Sequence, residues 1–310
     1  AVTKLALGAD GLPFAVAALE FHLKTHAIRG GEAQAGEPEL NIVPSRGDFH
    51  GRRRSRHLRS HADARWHVTP DSMFYARIAS GFVPGGPNVA PFGVPPGTIP
   101  TTYSSSTTTN YEVGYKSAYL GNHLTLELSL FQINWEDIQL TQTFGIYNAI
   151  ANGGTAVSRG VEWALNYVPV AGLTLGWTGS YTDAHLTEDT PNGGVDGDRL
   201  PITPRWQTAA SVDYKWPMFG VNGFAGADWR YVGDRYADFT TGTRQQLPSY
   251  DIFDLRAGIE TDTWTLGAFV KNVGDERAIS FVGNETGLAT QQRAYISTPR
   301  TIGVELTANF

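Results

Sequence analysis

Cysteine is absent from the 310 residues. That excludes disulfides, thiolate metal sites and cysteine nucleophiles. Long apolar runs are absent as well. The best of them, Leu12 to Leu19, stops at Glu20, far short of the roughly 18–20 residues that a membrane helix needs. No clean cleavage site follows it to mark the core of a signal peptide. Histidine is nearly missing downstream of His67, where His123 and His185 alone remain. His123 falls in a predicted turn. His185 lies near Asp183 at a loop base, with no G-x-S-x-G element beside it. A nucleophile–base pair has no support here, and the chain does not read as an enzyme or as one that holds a cofactor.

The chain is 41% hydrophobic with a slightly negative mean hydropathy. That average suits a water-soluble protein, but it equally suits a membrane β-barrel, in which alternate residues alone face lipid. Glycine is plentiful at 35 residues and aromatics make up 12%. Both suit short strands and tight turns.

Charge is uneven. Residues 1–65 hold 10 Lys/Arg against 7 Asp/Glu and five of the eight histidines, while residues 66–310 hold 14 against 23. This places a composition boundary near Trp66. Upstream of it no period-2 pattern is visible, although Phe14 to Leu23 has the spacing of a short amphipathic helix. Arg52, Arg53, Arg54 and Arg56 form a basic run, which reads as a solvated or disordered segment, or as out-of-frame sequence, rather than as a nucleic-acid site. His57 and His61, with His50 and His67 nearby, lack the acidic partners that zinc sites use.

Downstream, period 2 recurs. Leu124, Leu126, Leu128 and Leu130 alternate with Thr125, Glu127 and Ser129. Val161, Trp163, Leu165 and Tyr167 alternate with Glu162, Ala164 and Asn166. Phe253, Leu255, Ala257 and Ile259 alternate with Asp254, Arg256, Gly258 and Glu260. Such alternation predicts strands with one apolar face. Ten strands are expected near 73–82, 110–121, 123–137, 156–169, 172–186, 205–217, 219–234, 250–262, 263–277 and 298–310, with another around 61–68. Short turns alternate with long connections at 83–109, 138–155, 187–204, 235–249 and 278–297. Outer-membrane barrels alternate in this way, with short periplasmic turns and long external loops. Tyr111, Tyr119, Trp135, Tyr167, Tyr214 and Trp264 fall near strand ends, where interfacial girdles sit.

Several segments resemble the C-terminal half of TonB-dependent receptors. FYARIASGFVPGGPN (Phe74 to Asn88) is similar to Y-A-x-x-S-x-G-F-[RK]-P-G-G, with Val83 in place of the basic residue. SRGVEWALNYVPVAGLTLGWTGSYTDA (Ser158 to Ala184) resembles the hairpin that opens G-x-E-x-E and ends Y-T-D-A. LPITPRWQTAASVDY (Leu200 to Tyr214) resembles the L-P-x-x-P element. FVKNVGDERA (Phe269 to Ala278) resembles V-x-N-L-x-D-x-x-Y, with Val273 and Ala278 departing from it. PRTIGVELTANF (Pro299 to Phe310) resembles the closing strand.

The resemblance implies an all-β, antiparallel transmembrane barrel in a Gram-negative outer membrane. About ten C-terminal strands of a barrel of about 22 would be present, without the plug domain. It implies uptake of a scarce nutrient driven by the TonB complex acting on that plug, with a ferric siderophore as the first expectation and cobalamin or a glycan as others. Val304, Leu306 and Phe310 resemble the signal read by the outer-membrane assembly machinery. On the external loops, Phe144, Tyr147, Tyr236, Phe239, Arg244, Phe281, Arg293 and Tyr295 are the expected ligand contacts. Gly193 to Asp198, with Glu188 and Asp189, has the composition of a calcium loop but reads as a solvated turn.

Other readings stay open. A ten-stranded passive porin would line its lumen with Glu112, Lys116, Glu127, Asp213, Asp228, Arg230, Arg256 and Glu260. An outer-membrane enzyme would need a His or acidic dyad at the rim, and a soluble β domain would partition into buffer. The barrel reading makes a direct prediction. Leu128→Arg should destabilise the protein in a bilayer by about 2–4 kcal/mol, measured by reversible urea unfolding from vesicles. A larger loss for Glu127→Leu would mean that the two faces are inverted.

Overall fold

The computed structural model describes residues 38–45, 59–90, 92–145, 147–190, 194–239, 245–284 and 292–308. Among them are twenty strands. Twelve form one sheet: β1 (Pro38–Ser45), β2 (Arg59–Thr69), β3 (Ser72–Val83), β6 (Ser106–Tyr119), β7 (Leu124–Glu136), β10 (Ala156–Val170), β11 (Leu173–Leu186), β12 (Trp206–Met218), β13 (Val221–Val232), β16 (Tyr250–Glu260), β17 (Trp264–Lys271) and β20 (Thr301–Ala308). Each is hydrogen-bonded antiparallel to the next in that order. The other eight pair into ribbons within long connections: β4 (Gly86–Pro87) with β5 (Thr102–Tyr103), β8 (Gln139–Phe144) with β9 (Tyr147–Asn152), β14 (Arg235–Tyr236) with β15 (Gln246–Leu247), and β18 (Ile279–Asn284) with β19 (Gln292–Ile296).

All ten expected strands are present, and so is the alternation of connections. Short turns lie at one end, among them Pro70–Asp71, Ala171–Gly172 and Phe219–Gly220. At the last, Phe219 and Gly220 both take positive φ, 48° and 82°. This is the mirror-image turn whose twist matches that of the flanking strands.

The composition boundary at Trp66 is not an edge of the sheet. β2 runs through it, and β1 pairs with β2 along its whole length. Ala62 and Ala64 hold the apolar positions of β2, opposite Ile78 and Ala76. Alanine is too small and too weakly apolar to make the alternation visible. Phe14 to Leu23, the arginine run and His50 and His57 lie outside the described residues.

Register sorts the side chains onto two faces, because directly paired residues share a face. One row reads Ala64–Ala76–Val113–Leu130–Val161–Tyr181–Trp206. The next reads Trp66–Phe74–Tyr115–Leu128–Trp163–Gly179. Many of these large apolar groups are open to the surroundings, Leu130 at 54% and Trp206 at 51%. A water-soluble surface does not carry apolar rows this extensive.

The opposite face carries Arg65–Tyr75–Gly114–Ser129–Glu162–Ser180. Its charges are mostly paired. Tyr75 donates to Glu112 at 2.5 Å and Lys116 to Glu127 at 2.7 Å. Lys215 donates to Glu260 at 2.8 Å, and Arg256 is clasped between Asp213 and Asp228.

Six aromatic rings lie over a glycine that is their direct cross-strand partner: Tyr75 over Gly114, Phe131 over Gly160, Trp163 over Gly179, Trp216 over Gly223, Phe224 over Gly258 and Phe269 over Gly303. A missing Cβ lets the ring lie flat on the strand. This pins register and compensates for the poor strand preference of glycine. A methyl on Gly160 would meet the Tyr181 carbonyl and the Phe131 ring, whereas one on Gly267 meets only Phe224 Cζ at 3.6 Å. Gly160→Ala should therefore cost about 1–3 kcal/mol, while Gly267→Ala should be near neutral. Urea unfolding in detergent compares the two, and equal midpoints would show that the sheet shifts freely to admit the methyl.

Candidate functional site

The long connections build a layer with a core of its own. Ile138, Ala156, Ala184, Leu186 and Leu200 form a buried cluster, with Trp135, Leu140 and Phe239 packed against it. These residues come from the ends of β7, β10 and β11 and from the connections 137–155, 187–205 and 233–249. Ala184 and Leu186 continue the polar-face positions of β11, so the cluster lies on the side away from the apolar rows. The buried apolar residues of the described chain are almost all in this layer, Ile99, Leu247 and Val282 among them.

Side-chain amides tie the connections together. Asn88 Nδ2 donates to the Ile150 carbonyl at 2.8 Å and to the Pro100 carbonyl at 2.9 Å, while its Oδ1 accepts from Ile150 N at 3.0 Å. Gln139 Nε2 donates to the carbonyls of Ser104 and Pro84 at 2.9 and 3.0 Å. Asn152 accepts from Ser104 N at 2.7 Å and donates back to its carbonyl at 3.1 Å. Each amide satisfies backbone groups that irregular chain, or the open edge of β9 at Ile150, leaves without ladder partners.

Arginines do the same farther along. Arg199 donates to the Asp234 carboxylate and to its carbonyl, both at 2.9 Å, and lies 5.4 Å over the Tyr236 ring. Arg235 is buried and donates to the carbonyls of Ile279 and Ser280 at 2.7 and 3.1 Å. Burial lowers the pKa of its guanidinium below the ordinary arginine value.

The motif around Asn272 acquires a physical reason. Asn272 is buried at φ 51°. Its Nδ2 donates to the carbonyls of Glu276 and Thr298, both at 2.8 Å, and its Oδ1 accepts from Glu276 N at 2.8 Å. Asp275 accepts from Arg300 N at 2.8 Å. That bond and Arg277 hold its carboxyl below the usual carboxylate range. The N-x-x-D spacing thus closes the base of the connection that carries β18 and β19.

The expected contact residues fall into separate groups. Phe144 and Tyr147 are direct partners at the end of the β8–β9 ribbon. Phe281 and Tyr295 are partners on β18–β19, with ring centroids 5.8 Å apart. Arg293 is exposed one step along, opposite Gly283. Tyr236 lies beneath Arg199, and Phe239 packs into the buried cluster. Arg244 and Phe310 lie outside the described residues, whereas Val304 and Leu306 stand exposed on β20 opposite Ala268 and Leu266.

In the calcium-like loop, Asp189 accepts from Asp196 N at 2.9 Å and Asp198 from Val195 N at 3.0 Å, both turn bonds. Gly193 lies outside the described residues. Among the described residues no three His, Asp or Glu side chains converge as metal ligands. His123 bonds the Val168 carbonyl at 2.9 Å in its turn.

The chain is thus a twelve-stranded antiparallel meander among the described residues, with short turns at one end and interlocked long connections at the other. The family model described as TonB dependent receptor-like, beta-barrel matches residues 42–273. The chain belongs to this receptor β-barrel family. Among curated relatives it is 25% identical to the pesticin receptor of Yersinia pestis over 252 residues, which are 78% of this chain and 34% of that protein. It therefore spans about a third of the length of the relatives it matches. Among solved structures it matches the ferric yersiniabactin uptake receptor FyuA of Yersinia pestis with a TM-score of 0.70 at 22% identity, covering 82% of this chain and 37% of that one. It also matches the ferripyoverdine receptor of the outer membrane of Pseudomonas aeruginosa, with a TM-score of 0.61 at 17% identity, covering 82% and 33%.

The Arg199–Asp234 clasp carries a pH prediction. The hydrogen bond from Arg199 holds the Asp234 carboxyl below its ordinary value. A depressed carboxylate stabilises the folded state above its unfolded pKa, and this contribution is lost as pH falls through the folded one. Amide exchange at Ile202, whose N–H donates to the Tyr236 carbonyl at 2.7 Å, should therefore stay slow, relative to intrinsic rates, through mildly acidic pH. It should rise only below the usual Asp range, and Asp234→Asn should remove that rise. An unchanged acid profile in the variant would place the tie elsewhere.

Proposed function

We propose that this chain supplies C-terminal wall and loops to an outer-membrane barrel that imports a ferric siderophore by TonB-coupled transport. The observation that carries this reading is the pairing of a continuous apolar face with a cross-braced layer of long connections at one end. The apolar rows meet lipid, where a backbone without water must find all its partners in neighbouring strands. The polar face looks inward, and the loop layer faces outward. Val304 and Leu306, exposed on β20, are the described part of the signal that the assembly machinery would read, which Phe310 completes in sequence.

The relatives supply the ligand class. The names of three of them specify pesticin, ferric yersiniabactin and ferripyoverdine. Iron chelates such as the latter two present aromatic or anionic surface, which suits the tilted Phe281–Tyr295 pair beside exposed Arg293. Phe144 with Tyr147, Tyr236 and Arg244 are further contacts. Phe239 contributes by holding the layer together. Energy enters through a plug acted on by the TonB complex, and this chain performs no covalent step.

The test is growth on ferric chelates as sole iron source, in outer-membrane uptake mutants expressing the receptor, with and without functional TonB. Growth that needs TonB supports import. Passage unaffected by loss of TonB would favour the passive pore lined by Glu112, Lys116 and Asp213. Phe281→Ala with Tyr295→Ala should weaken chelate binding roughly tenfold, about 1.4 kcal/mol, at unchanged receptor abundance. Unaltered binding would move the contact surface to another loop.

A further inference from the structure

On the apolar face, chemistry changes along a single row at the loop end of the sheet. The apolar band ends at Val161–Tyr181–Trp206. Two residues farther along each strand, a step of about 6.6 Å, the partners are Gln132, Arg159 and Asp183. Arg159 Nη2 donates to Asp183 Oδ2 at 3.3 Å. Arg205, immediately before β12, brings Nη2 to 3.8 Å from Asp183 Oδ1. His185, next on the same face of β11, places Nδ1 3.5 Å from Asp183 Oδ2.

Two guanidiniums and an imidazole thus share one carboxylate. A single carboxylate neutralises one of the two guanidiniums and leaves the other in surplus. The Arg159 and Arg205 side chains are 60% and 50% exposed. Apart from the Arg159–Asp183 bond, neither guanidinium donates a hydrogen bond to a described residue. Each guanidinium carries five N–H donors, so most of them point to no protein group. Below the cluster, Tyr181 and Trp206 form a tilted pair with centroids 4.8 Å apart. Trp206 is 51% exposed. Amphipathic rings of this kind mark the level at which hydrocarbon gives way to headgroups.

We propose that Arg159, Arg205 and His185, held around Asp183, bind the phosphate of an outer-leaflet lipid whose acyl chains lie along the Val161–Tyr181–Trp206 end of the apolar band. Arginine forks match phosphate oxygens two at a time. Asp183 keeps the two forks apart and oriented, at the cost of one opposing charge. The proposal rests on the reading above that the apolar rows meet lipid with the long connections outward.

The test separates the two. The protein in detergent is titrated with lipid A, with lipid A stripped of its phosphates, and with inorganic phosphate, and bound lipid is read by native mass spectrometry. The wild type should retain lipid A about tenfold better than the stripped lipid. Arg159→Gln with Arg205→Gln should erase that preference, and Asp183→Asn should increase it by removing the competing charge. Equal retention of both lipids by the wild type, or an unchanged preference in the double variant, would overturn the proposal. So would loss of preference in Asp183→Asn, or competition by inorganic phosphate as strong as that by lipid A. Reconstitution into phosphatidylcholine vesicles carrying a bilayer-restricted photoprobe reads the underlying assumption independently. Labelling of β7 and β10 upholds it, and a protein that stays unlabelled would sink both readings.

Discussion

Backbone pairing between adjacent strands is the constraint on which the rest depends. Side chains alternate with period 2, so a one-residue slip in any strand would exchange its two faces. The apolar rows, the paired charges opposite them and the position of every loop follow from that one choice of register. The aromatic–glycine pairs hold it. A slip at β10–β11 would carry Trp163 from the bare backbone of Gly179 onto a neighbour with a Cβ. A slip at β17–β20 would do the same to Phe269 above Gly303. The six pairs are spread over both faces and most of the sheet, so no long stretch of wall is left to slide.

A sheet with one apolar face turned outward has no hydrophobic interior of the ordinary kind. The buried apolar residues gather instead where the strands run out and the connections fold over their ends, around Ile138, Leu186 and Leu200. Along β11 the faces part at this level. Ala184 and Leu186 enter the cluster, while Asp183 and His185 meet the arginines on the other side. The same few residues of strand therefore serve the core of the loop layer on one face and a charged cluster on the other.

Much of the wall was legible because amphipathic strands advertise themselves. Leu124 to Leu130 and Phe253 to Ile259 alternate cleanly, and the short turns carry glycine at positive φ. β2 was faint because alanines hold its apolar positions 62 and 64. The ribbons β8–β9 and β18–β19 were hidden for another reason. Their buried residues, Ala149 and Val282 among them, pack within the loop layer rather than against lipid, so no regular alternation is imposed on them. The braces were hidden altogether, because nothing marks Asn88 or Gln139 as different from any other polar loop residue until Ile150 and Ser104 are brought beside them. Asn272 was visible only as part of a motif, whose hydrogen bonds supply the cause. Aromatics in external loops look alike in sequence, so the packing of half-buried Phe239 against the cluster around Leu186 was not legible there.

The braces also decide what an antibody would see. Asn88 and Ile150 are 62 residues apart in the chain, yet the side chain of one clamps the backbone of the other. Any epitope spanning them is discontinuous. Immunisation with a linear peptide copied from either connection would raise sera against a shape that the folded receptor does not display. A useful antigen would have to carry both connections on a common scaffold.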